Sequence, residues 1–139
     1  MSAAIPPEFE DLVGPPNVAL LATTNADGSL QVTPVWATRE GESVVVGSAK
    51  GRAKDRNMRL RGEVALAFVD PANPYRYLAL SGTVTSVRDE DDPEHAAQVA
   101  EHIDDAAEAY VGQRPYPFRQ PGEIRSMFAV TPHHVHTYG

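Results

Sequence analysis

Residues 18–38 read VALLATTNADGSLQVTPVWAT, and this stretch contains the pattern that decides the fold. Two apolar runs, at residues 18–24 and 30–38, flank the sequence ADGS at residues 26–29. An Asp-Gly pair between two such runs indicates a β-hairpin, because the turn needs positive φ angles that glycine adopts at little cost. The sequence therefore predicts a protein built on antiparallel strands joined by tight turns.

Four further runs outside this hairpin are typical of strands, and they lie at residues 43–47, 64–70, 77–88 and 125–137. The run at 43–47 is rich in β-branched valine, as expected for a buried strand. Six strands that are joined mostly by short turns close naturally into a small antiparallel barrel. We predict a mainly β (α+β) fold that forms a single domain over residues 1–139.

Two helices are predicted beside the barrel. The first covers residues 52–61 and ends at Gly62, a residue suited to the left-handed conformation of a helix C-terminus. Its predicted inner face consists of Ala53, Asn57 and Leu60. The second helix is expected to begin at Asp92-Pro93, and an apolar stripe at helical spacing packs it on the barrel. The stripe consists of Val99, Ile103, Ala106 or Ala107, and Tyr110.

Charge is distributed unevenly along the chain. There are 12 basic and 19 acidic residues, and the formal net charge is −7. Such a protein lacks the broad positive field of a general nucleic-acid binder, so we expect no nucleic-acid partner. Half of the basic residues nevertheless fall in one segment: Lys50, Arg52, Lys54, Arg56, Arg59 and Arg61. This concentration indicates a local anion site, with a solvated helix face as the alternative.

Composition also limits the compartment and the chemistry. The absence of cysteine excludes disulfides, thiolate metal sites and cysteine nucleophiles, and it is typical of a cytoplasmic protein. The longest plainly apolar run, VALLA at residues 18–22, is far shorter than the ~20 residues of a membrane span. The first ten residues, MSAAIPPEFE, lack the basic start and apolar stretch of a secretory signal. We expect a cytoplasmic protein with no membrane partner.

The basic segment follows a predicted strand directly. Ser48 ends that strand, and Arg52 and Lys54 open the next helix. A strand end, a glycine turn and a helix N-terminus bring backbone N–H groups and two cations together, which suits a phosphate or carboxylate group. Asn57, one turn later, either reaches the ligand or holds the loop by hydrogen bonds to the backbone, and both roles stay open.

The segment Gln31-Val32-Thr33-Pro34-Val35-Trp36 is a predicted strand with proline in its middle. Proline cannot donate to a sheet, so this strand should lie at an edge or contain a bulge. The freed backbone groups would suit the polar edge of a flat heteroaromatic ring. For Trp36, packing in the core or between subunits is the alternative to a role in the site.

Three of the five histidines lie close together near the C-terminus. On a regular strand His134 and His136 face one side and His133 the other, so a metal would gain at most two ligands here. Nothing in the sequence marks a third ligand. We therefore predict no metal site and treat these residues as ordinary strand histidines, whose functional role the sequence does not define.

Four blocks in order along the chain carry a family resemblance: ALLATTNADGSLQVTPVWAT, GSAKGRAKDRN, DPANPYRYLALSGTVT and YPFRQPGEIRSMFAVTPHHVHTYG. Together they cover most of the sequence. The chain resembles the split β-barrel superfamily of pyridoxamine 5′-phosphate oxidase. It is most similar to the actinobacterial branch of enzymes that depend on the deazaflavin coenzyme F-420.

The resemblance implies a homodimer of six-stranded split barrels with two flanking helices each, and two cofactor sites at the subunit interface. The family's phosphate-binding segment corresponds to residues 48–57, with Arg52 and Lys54 as the main cations. The family's ring-binding strand corresponds to residues 31–36, and its NPYRY block corresponds to residues 73–77. The implied cofactor-binding residues are Gln31, Thr33, Pro34, Val35, Trp36, Ser48, Lys50, Arg52, Lys54, Asn57, Tyr75, Arg76 and Tyr77.

The implied activity is hydride transfer from the reduced deazaflavin to an electron-poor organic substrate such as an enone, a quinone or a tetrapyrrole. The sequence contains no clear His/Asp or paired-carboxylate group, which agrees with chemistry supplied by the cofactor. Two alternatives stay open on the same barrel. One is an FMN-dependent oxidase or flavin reductase, and the other is a non-catalytic protein that binds a cofactor or heme, in which one of the C-terminal histidines would be recruited.

Overall fold

Seven antiparallel strands form one continuous sheet in the computed structural model, which describes residues 2–139. The order of hydrogen-bonded neighbours is β2-β1-β5-β6-β7-β4-β3. The turn at residues 26–29 joins β1 to β2 as predicted, with Gly28 at a φ of 88°. The strands are β1 (Ala19–Thr24), β2 (Leu30–Val35), β3 (Ala37–Glu40), β4 (Ser43–Ala49), β5 (Glu63–Asp70), β6 (Asn73–Asp89) and β7 (Arg125–Tyr138).

The prediction of six strands was wrong, because the run at residues 30–38 forms two strands that separate at Trp36. The first, β2, pairs with β1, whereas β3 pairs with β4. These partners belong to opposite ends of the strand order, so the chain changes partner at Trp36 and thereby closes the sheet into a barrel. The position of β2 at an end of the order agrees with the edge strand that Pro34 predicted.

The core lies inside this barrel and follows from alternation along the strands. In β1, for example, Ala19, Leu21 and Thr23 are buried, whereas Leu20 points outward. Aromatic and branched side chains from five strands fill the interior, and each contributes roughly 1.5–3 kcal/mol when it is fully buried. The largest of them are Phe68, Phe128, Leu21, Leu66 and Leu78.

Helix α1 covers Ala53–Arg61 and ends at Gly62, which has the predicted left-handed conformation with a φ of 63°. Its predicted inner face was wrong in part, because Leu60 is 72% exposed. Asp55 and Met58 are buried beside Asn57 instead. The Asp55 carboxylate accepts a hydrogen bond from the Gly51 N–H at 2.9 Å, so the inward face of the helix includes an acidic residue that apolar spacing does not predict.

Helix α2 covers Ala96–Val111, and Val99, Ile103, Ala106 and Ala107 form its buried stripe as predicted. Its predicted start at residue 92 was wrong. Residues 92–95 form a turn, in which the Asp92 carboxylate accepts a hydrogen bond from the Glu94 N–H at 3.0 Å. This local bond satisfies the backbone before the helix begins. Neither described helix is long and apolar enough to cross a membrane.

Candidate functional site

A cavity of ≈ 320 Å³ opens where the last residues of β2, the end of β4, the start of α1 and helix α2 meet. The segment between α2 and β7 covers one side of it. Its apolar lining consists of Val18, Pro34, Val35, Ile103, Ala106 and the aromatic rings of Trp36, Tyr116 and Phe118. Its polar lining consists of Ser48, Arg52, Lys54, His102 and Arg125.

One end of the cavity carries an excess of positive charge. Burial lowers the pKa of Lys54, and the neighbouring charges of Arg52 and Arg125 lower it further. Its closest polar contact is Thr33 Oγ1 at 3.5 Å, and within residues 2–139 no carboxylate forms an ion pair with it. Glu123 lies near both arginines, at 3.8 Å from Arg52 and 3.2 Å from Arg125. Three cations therefore face the cavity with one carboxylate beside them.

Arg125 marks the same end as an anion site in a second way. The residue is only 7% exposed, and its Nε is buried without a hydrogen-bond partner among the described residues. Its guanidinium also lies over the ring of Tyr116, 5.2 Å from the centroid. A buried donor without a partner is costly, so Arg125 is a strained member of this cationic end of the cavity.

The loop between β4 and α1 is held by a chain of hydrogen bonds. The N–H of Gly51 donates to the buried Asp55 carboxylate at 2.9 Å, and Arg59 donates to the other oxygen of that group at 3.1 Å. Arg59 also binds Asp89 and Ser126 through its guanidinium. Hydrogen bonds from Arg59 are the main reason that the pKa of Asp89 falls to about 2. This network fixes the loop that carries Arg52 at the cavity.

Trp36 forms a flat wall of the cavity. Its ring stacks on Tyr110, with centroids 5.3 Å apart and planes within 5° of parallel, and Tyr116 meets it edge-on at 6.0 Å. The Tyr110 hydroxyl accepts a hydrogen bond from the Ala37 N–H and lies 2.9 Å from the Asn17 carbonyl oxygen. These bonds hold the aromatic stack at the point where the barrel closes. Trp36 therefore packs against α2 and lines the cavity at once.

His102 brings the one imidazole into the cavity. Its Nε2 lies 3.1 Å from Thr38 Oγ1 on β3. Burial lowers the pKa of His102, and the positive charges of Arg88 and Arg125 lower it further. The ring is therefore neutral near pH 7. It adds a polar group that carries no charge at the side of the cavity formed by α2.

The structure brings six of the predicted cofactor-binding residues together around this cavity: Pro34, Val35, Trp36, Ser48, Arg52 and Lys54. Thr33 joins them through its contact with Lys54. Gln31 lies further along β2, opposite Thr23, and its Oε1 is buried without a hydrogen-bond partner in the described part of the chain. The two sequence segments that the residues themselves indicated thus meet at one place.

The other predicted residues lie outside the cavity. Lys50 is exposed and pairs with Asp91 at 2.9 Å. Asn57 is buried and donates to Thr23 Oγ1 at 3.0 Å and to Asn25 Oδ1 at 2.8 Å, so it holds the β1–β2 turn region. Its partners are side chains, not the backbone.

The predicted residues of the NPYRY block also lie outside the cavity, near the start of β6. Tyr75 is 80% exposed. Arg76 pairs with Asp11 at 2.8 Å and with Asp70 at 3.1 Å. It thereby ties the N-terminal 3-10 helix (Pro7–Leu12) to the β5–β6 hairpin. Tyr77 stacks on Tyr138 with centroids 6.1 Å apart.

Several cavity residues were not predicted from the sequence, among them His102, Tyr116, Phe118 and Arg125. His102 had a usable signal, because it directly precedes Ile103 and lies four residues before Ala106 on the packed stripe. Arg125 had none in its own segment. Its place depends on the pairing of β7 with β4, in which Arg125 lies opposite Ala49.

The C-terminal histidines lie elsewhere, and the prediction that His133 and His134 face opposite sides was wrong. Both line a second hollow of ≈ 580 Å³, formed with residues of β1, β5 and β6 and with Leu30 of β2. The register of β6 against β7 shifts between Ser81 and Gly82, where His133 is the extra residue. Such a bulge turns two successive side chains to one face. His133 Nε2 lies 2.8 Å from Thr83 Oγ1.

Known proteins resemble this chain in sequence and in structure. The sequence pattern of the family described as pyridoxamine 5′-phosphate oxidase matches residues 5–139. A solved structure described as an F420 reductase is 30% identical, with a TM-score of 0.76, and the match covers 95% of this chain and 98% of that one. No protein with a curated description matches the sequence significantly.

Two more distant structures share the fold alone. HutZ, the heme storage protein from Vibrio cholerae, is 15% identical with a TM-score of 0.69, and the match covers 99% of this chain and 96% of that one. A heme binding protein from Mycobacterium smegmatis is 22% identical with a TM-score of 0.60, and 88% of this chain matches 49% of it. Several kinds of ligand are therefore named for proteins with this barrel.

Proposed function

The chain belongs to the pyridoxamine 5′-phosphate oxidase family, and on that premise we propose that it is an oxidoreductase that binds the deazaflavin coenzyme F-420 in the cavity beside Trp36. The observation that carries the proposal is the unbalanced charge of Arg52, Lys54 and Arg125 next to a flat aromatic wall. The similarity to a structure described as an F420 reductase supports the choice of cofactor.

The residues present fit this cofactor. Its phosphate and acidic tail need several cations, and the cavity lining holds the Arg125 guanidinium and the Lys54 ammonium, whose one printed contact is the long one to Thr33 Oγ1 at 3.5 Å. Arg52 would add a third cation at the rim, where it is already near Glu123. The proline-containing end of β2 and the Trp36 ring would form the surface for the cofactor's ring. Gly51, bonded to Asp55, would keep the loop in place.

When bound, the deazaflavin supplies a hydride from its ring. The role of this chain is then to hold and orient the ring, and to keep water away from it. Val35, Ile103 and Ala106 provide the apolar lining for that purpose. The substrate would be an electron-poor organic molecule, such as an enone, a quinone or a tetrapyrrole. The cations neutralise the cofactor's anionic groups at a distance from the aromatic wall.

A homodimer forms part of the proposal. Apolar side chains are exposed on β1 and β2: Leu20, which pairs with Pro34 of the cavity lining, is 46% exposed, Val32 61% and Leu30 72%. Contiguous exposed apolar side chains of this kind mark association sites. A second subunit on this face would cover the open side of the cavity. Tyr75 and Tyr77 lie outside the cavity of their own chain, so in such a dimer they would contact a cofactor only in the other subunit's site. Light scattering with a Val32→Asp variant would test this, because a charge at the interface should yield monomers.

The decisive experiment is a fluorescence titration of the protein with coenzyme F-420 and with FMN under identical conditions. The proposal predicts saturation by F-420 at one molecule per chain, with tighter binding than FMN, because the longer anion uses more of the cations. Tighter FMN binding would favour a flavin enzyme instead. Binding of neither cofactor would refute the proposal.

Heme binding is a second candidate, because His102 presents an imidazole to the cavity and two similar structures are described as heme proteins. Adding heme to the purified protein tests it. A Soret band that is absent in a His102→Leu variant would support a heme role. If heme does not displace coenzyme F-420, the two ligands bind at different places on the protein.

A further inference from the structure

His102 occupies a distinct place in the cavity. It comes from α2, and its neighbours from that helix in the cavity lining are the apolar Ile103 and Ala106. Its Nδ1 has no hydrogen-bond partner among residues 2–139. A residue of the cavity lining therefore holds a polar atom that the described protein leaves unused.

Thr38 controls what this atom can offer. Its hydroxyl lies 3.1 Å from His102 Nε2 and has no second hydrogen-bond partner in the described structure. When the hydroxyl donates to Nε2, the single proton of a neutral imidazole resides on Nδ1. His102 then presents an N–H donor to the cavity.

We propose that His102 donates a hydrogen bond from Nδ1 to a carbonyl oxygen of the substrate, and that this substrate is a small ring ketone or quinone. The inference rests on the proposed function, because it assigns the substrate side of the same cavity. A neutral donor suits a neutral carbonyl, whereas a carboxylate would bind to the cations Arg52 and Lys54. As negative charge develops on the carbonyl oxygen during hydride transfer, the N–H bond strengthens its hold. Thr38 is the positioning residue behind it.

The charges around His102 support a neutral donor. Burial is the main cause that lowers the pKa of His102, and the charges of Arg88 on β6 and Arg125 on β7 lower it further. Asp105 on α2 and Glu40 on β3 act in the opposite direction, and the net result is a lowered pKa. The hydrogen bond is therefore available across neutral and alkaline pH without a charged imidazole.

The first test measures the tautomer of the protein without any cofactor. Two-bond ¹H–¹⁵N correlation spectra distinguish the two imidazole nitrogens, and the signals of His102 among the five histidines are those lost in a His102→Asn variant. We expect protonation at Nδ1 in the wild type, retained in Thr38→Ser and lost or mixed in Thr38→Val. Protonation at Nε2 or a charged ring at pH 7 would overturn the inference.

The second test uses 2-methyl-1,4-naphthoquinone and the carbonyl-free control 2-methylnaphthalene, with the protein saturated by oxidised coenzyme F-420 so that no turnover occurs. His102→Leu should weaken quinone binding ~10-fold, as expected for loss of about one hydrogen bond, and leave the hydrocarbon unaffected. His102→Asn keeps an N–H donor near the Nδ1 position and should restore most of the affinity. With reduced cofactor, kcat/KM should fall by ~10- to 100-fold in the leucine variant.

The outcomes separate this inference from the proposed function. If the wild type binds no coenzyme F-420, the proposed function fails and the inference fails with it. If the wild type binds the cofactor and reduces the quinone, and His102→Leu does both equally well, only the inference fails. If the leucine variant unfolds, the other variants still test the inference. Thr38→Val should change the tautomer of His102, whereas His102→Asn should keep most of the affinity for the quinone.

Discussion

Lys54 allows the sharpest test of the anion site. Replacing it by methionine keeps an unbranched side chain of similar length and removes the charged ammonium group with its hydrogen-bond donors. In the structure the Lys54 ammonium has one long contact, to Thr33 Oγ1 at 3.5 Å, and it is repelled by Arg52 and Arg125. It therefore gains little from the protein itself and is available for a ligand.

The size of the effect follows from the kind of bond that is lost. A charge-assisted hydrogen bond contributes ~1.5–3 kcal/mol, so Lys54→Met should raise the Kd for coenzyme F-420 by about 10- to 150-fold. The free protein should become slightly more stable, because its folded state favours the neutral amine. The lowered pKa means that the charged lysine destabilises the fold at neutral pH, and that this penalty fades only as the pH rises toward 10.5.

The assay is the fluorescence titration with coenzyme F-420, repeated at low and high salt, together with thermal unfolding. Lys50→Met is the matched control. That lysine belongs to the same basic segment, but it is exposed and pairs with Asp91 outside the cavity. Its loss should change the Kd by less than about threefold, because screened surface charges contribute little.

Equal losses of affinity in the two lysine variants would refute this reasoning, since a general positive field would then explain the binding. An unchanged Kd in Lys54→Met would refute it as well. A selective loss at Lys54 accompanied by a large drop in stability would mean that the variant distorts the loop instead. The three results are distinguishable from one set of samples.

Three further predictions concern stability. Asp89→Asn should lower the free energy of unfolding by about 2 kcal/mol at pH 7, because bonding to Arg59 lowers the pKa of Asp89 from 3.8 to about 2. In urea unfolding, the difference from the wild type should disappear as the pH falls from about 4 to 2. A difference that does not depend on pH would contradict this prediction. His102→Asn should reduce the loss of stability below pH 6.5, since in the wild type the unfolded state takes up a proton before the buried imidazole does. Thermal unfolding of both proteins between pH 7.5 and 5 measures this. Identical slopes of stability against pH in the wild type and the variant would argue against it. Gly82→Ala should lower the free energy of unfolding by roughly 1–3 kcal/mol, because a Cβ there would lie 2.3 Å from the Thr131 carbonyl oxygen. In the same urea assay, the neighbouring Ser81→Ala should change the free energy of unfolding by less than ~0.5 kcal/mol. Equal effects of the two variants would show that the close approach at Gly82 does not cause the loss.

Much of the site could be predicted because its parts lie close together in the chain. The segment from Ser48 to Lys54 combines a strand end, a turn and a helix start, and each of these has a local signal. Pro34 likewise indicated an edge strand through its missing donor. The start of α2 could not be placed correctly from the sequence, because an aspartate carboxylate can either cap a helix or close a turn. In the structure the Asp92 carboxylate accepts a hydrogen bond from the Glu94 N–H and closes a turn before the helix.

The remaining site residues depend on contacts between distant parts of the chain. Arg125 reaches Lys54 only because β7 pairs with β4, and His102 reaches Thr38 only because α2 packs where the barrel closes. Neither residue differs in its own segment from an ordinary surface cation or helix histidine.

The amino-acid order by itself determined the hairpin at residues 26–29, the strand runs, the apolar stripe of α2 and the basic loop, because local backbone preference and side-chain spacing govern these features. The tertiary structure alone decided that one predicted strand divides at Trp36 and that charged and aromatic groups from five separate segments enclose a common space. The reason is that strand pairing around a closed barrel depends on the burial of the whole core, which no single segment can specify.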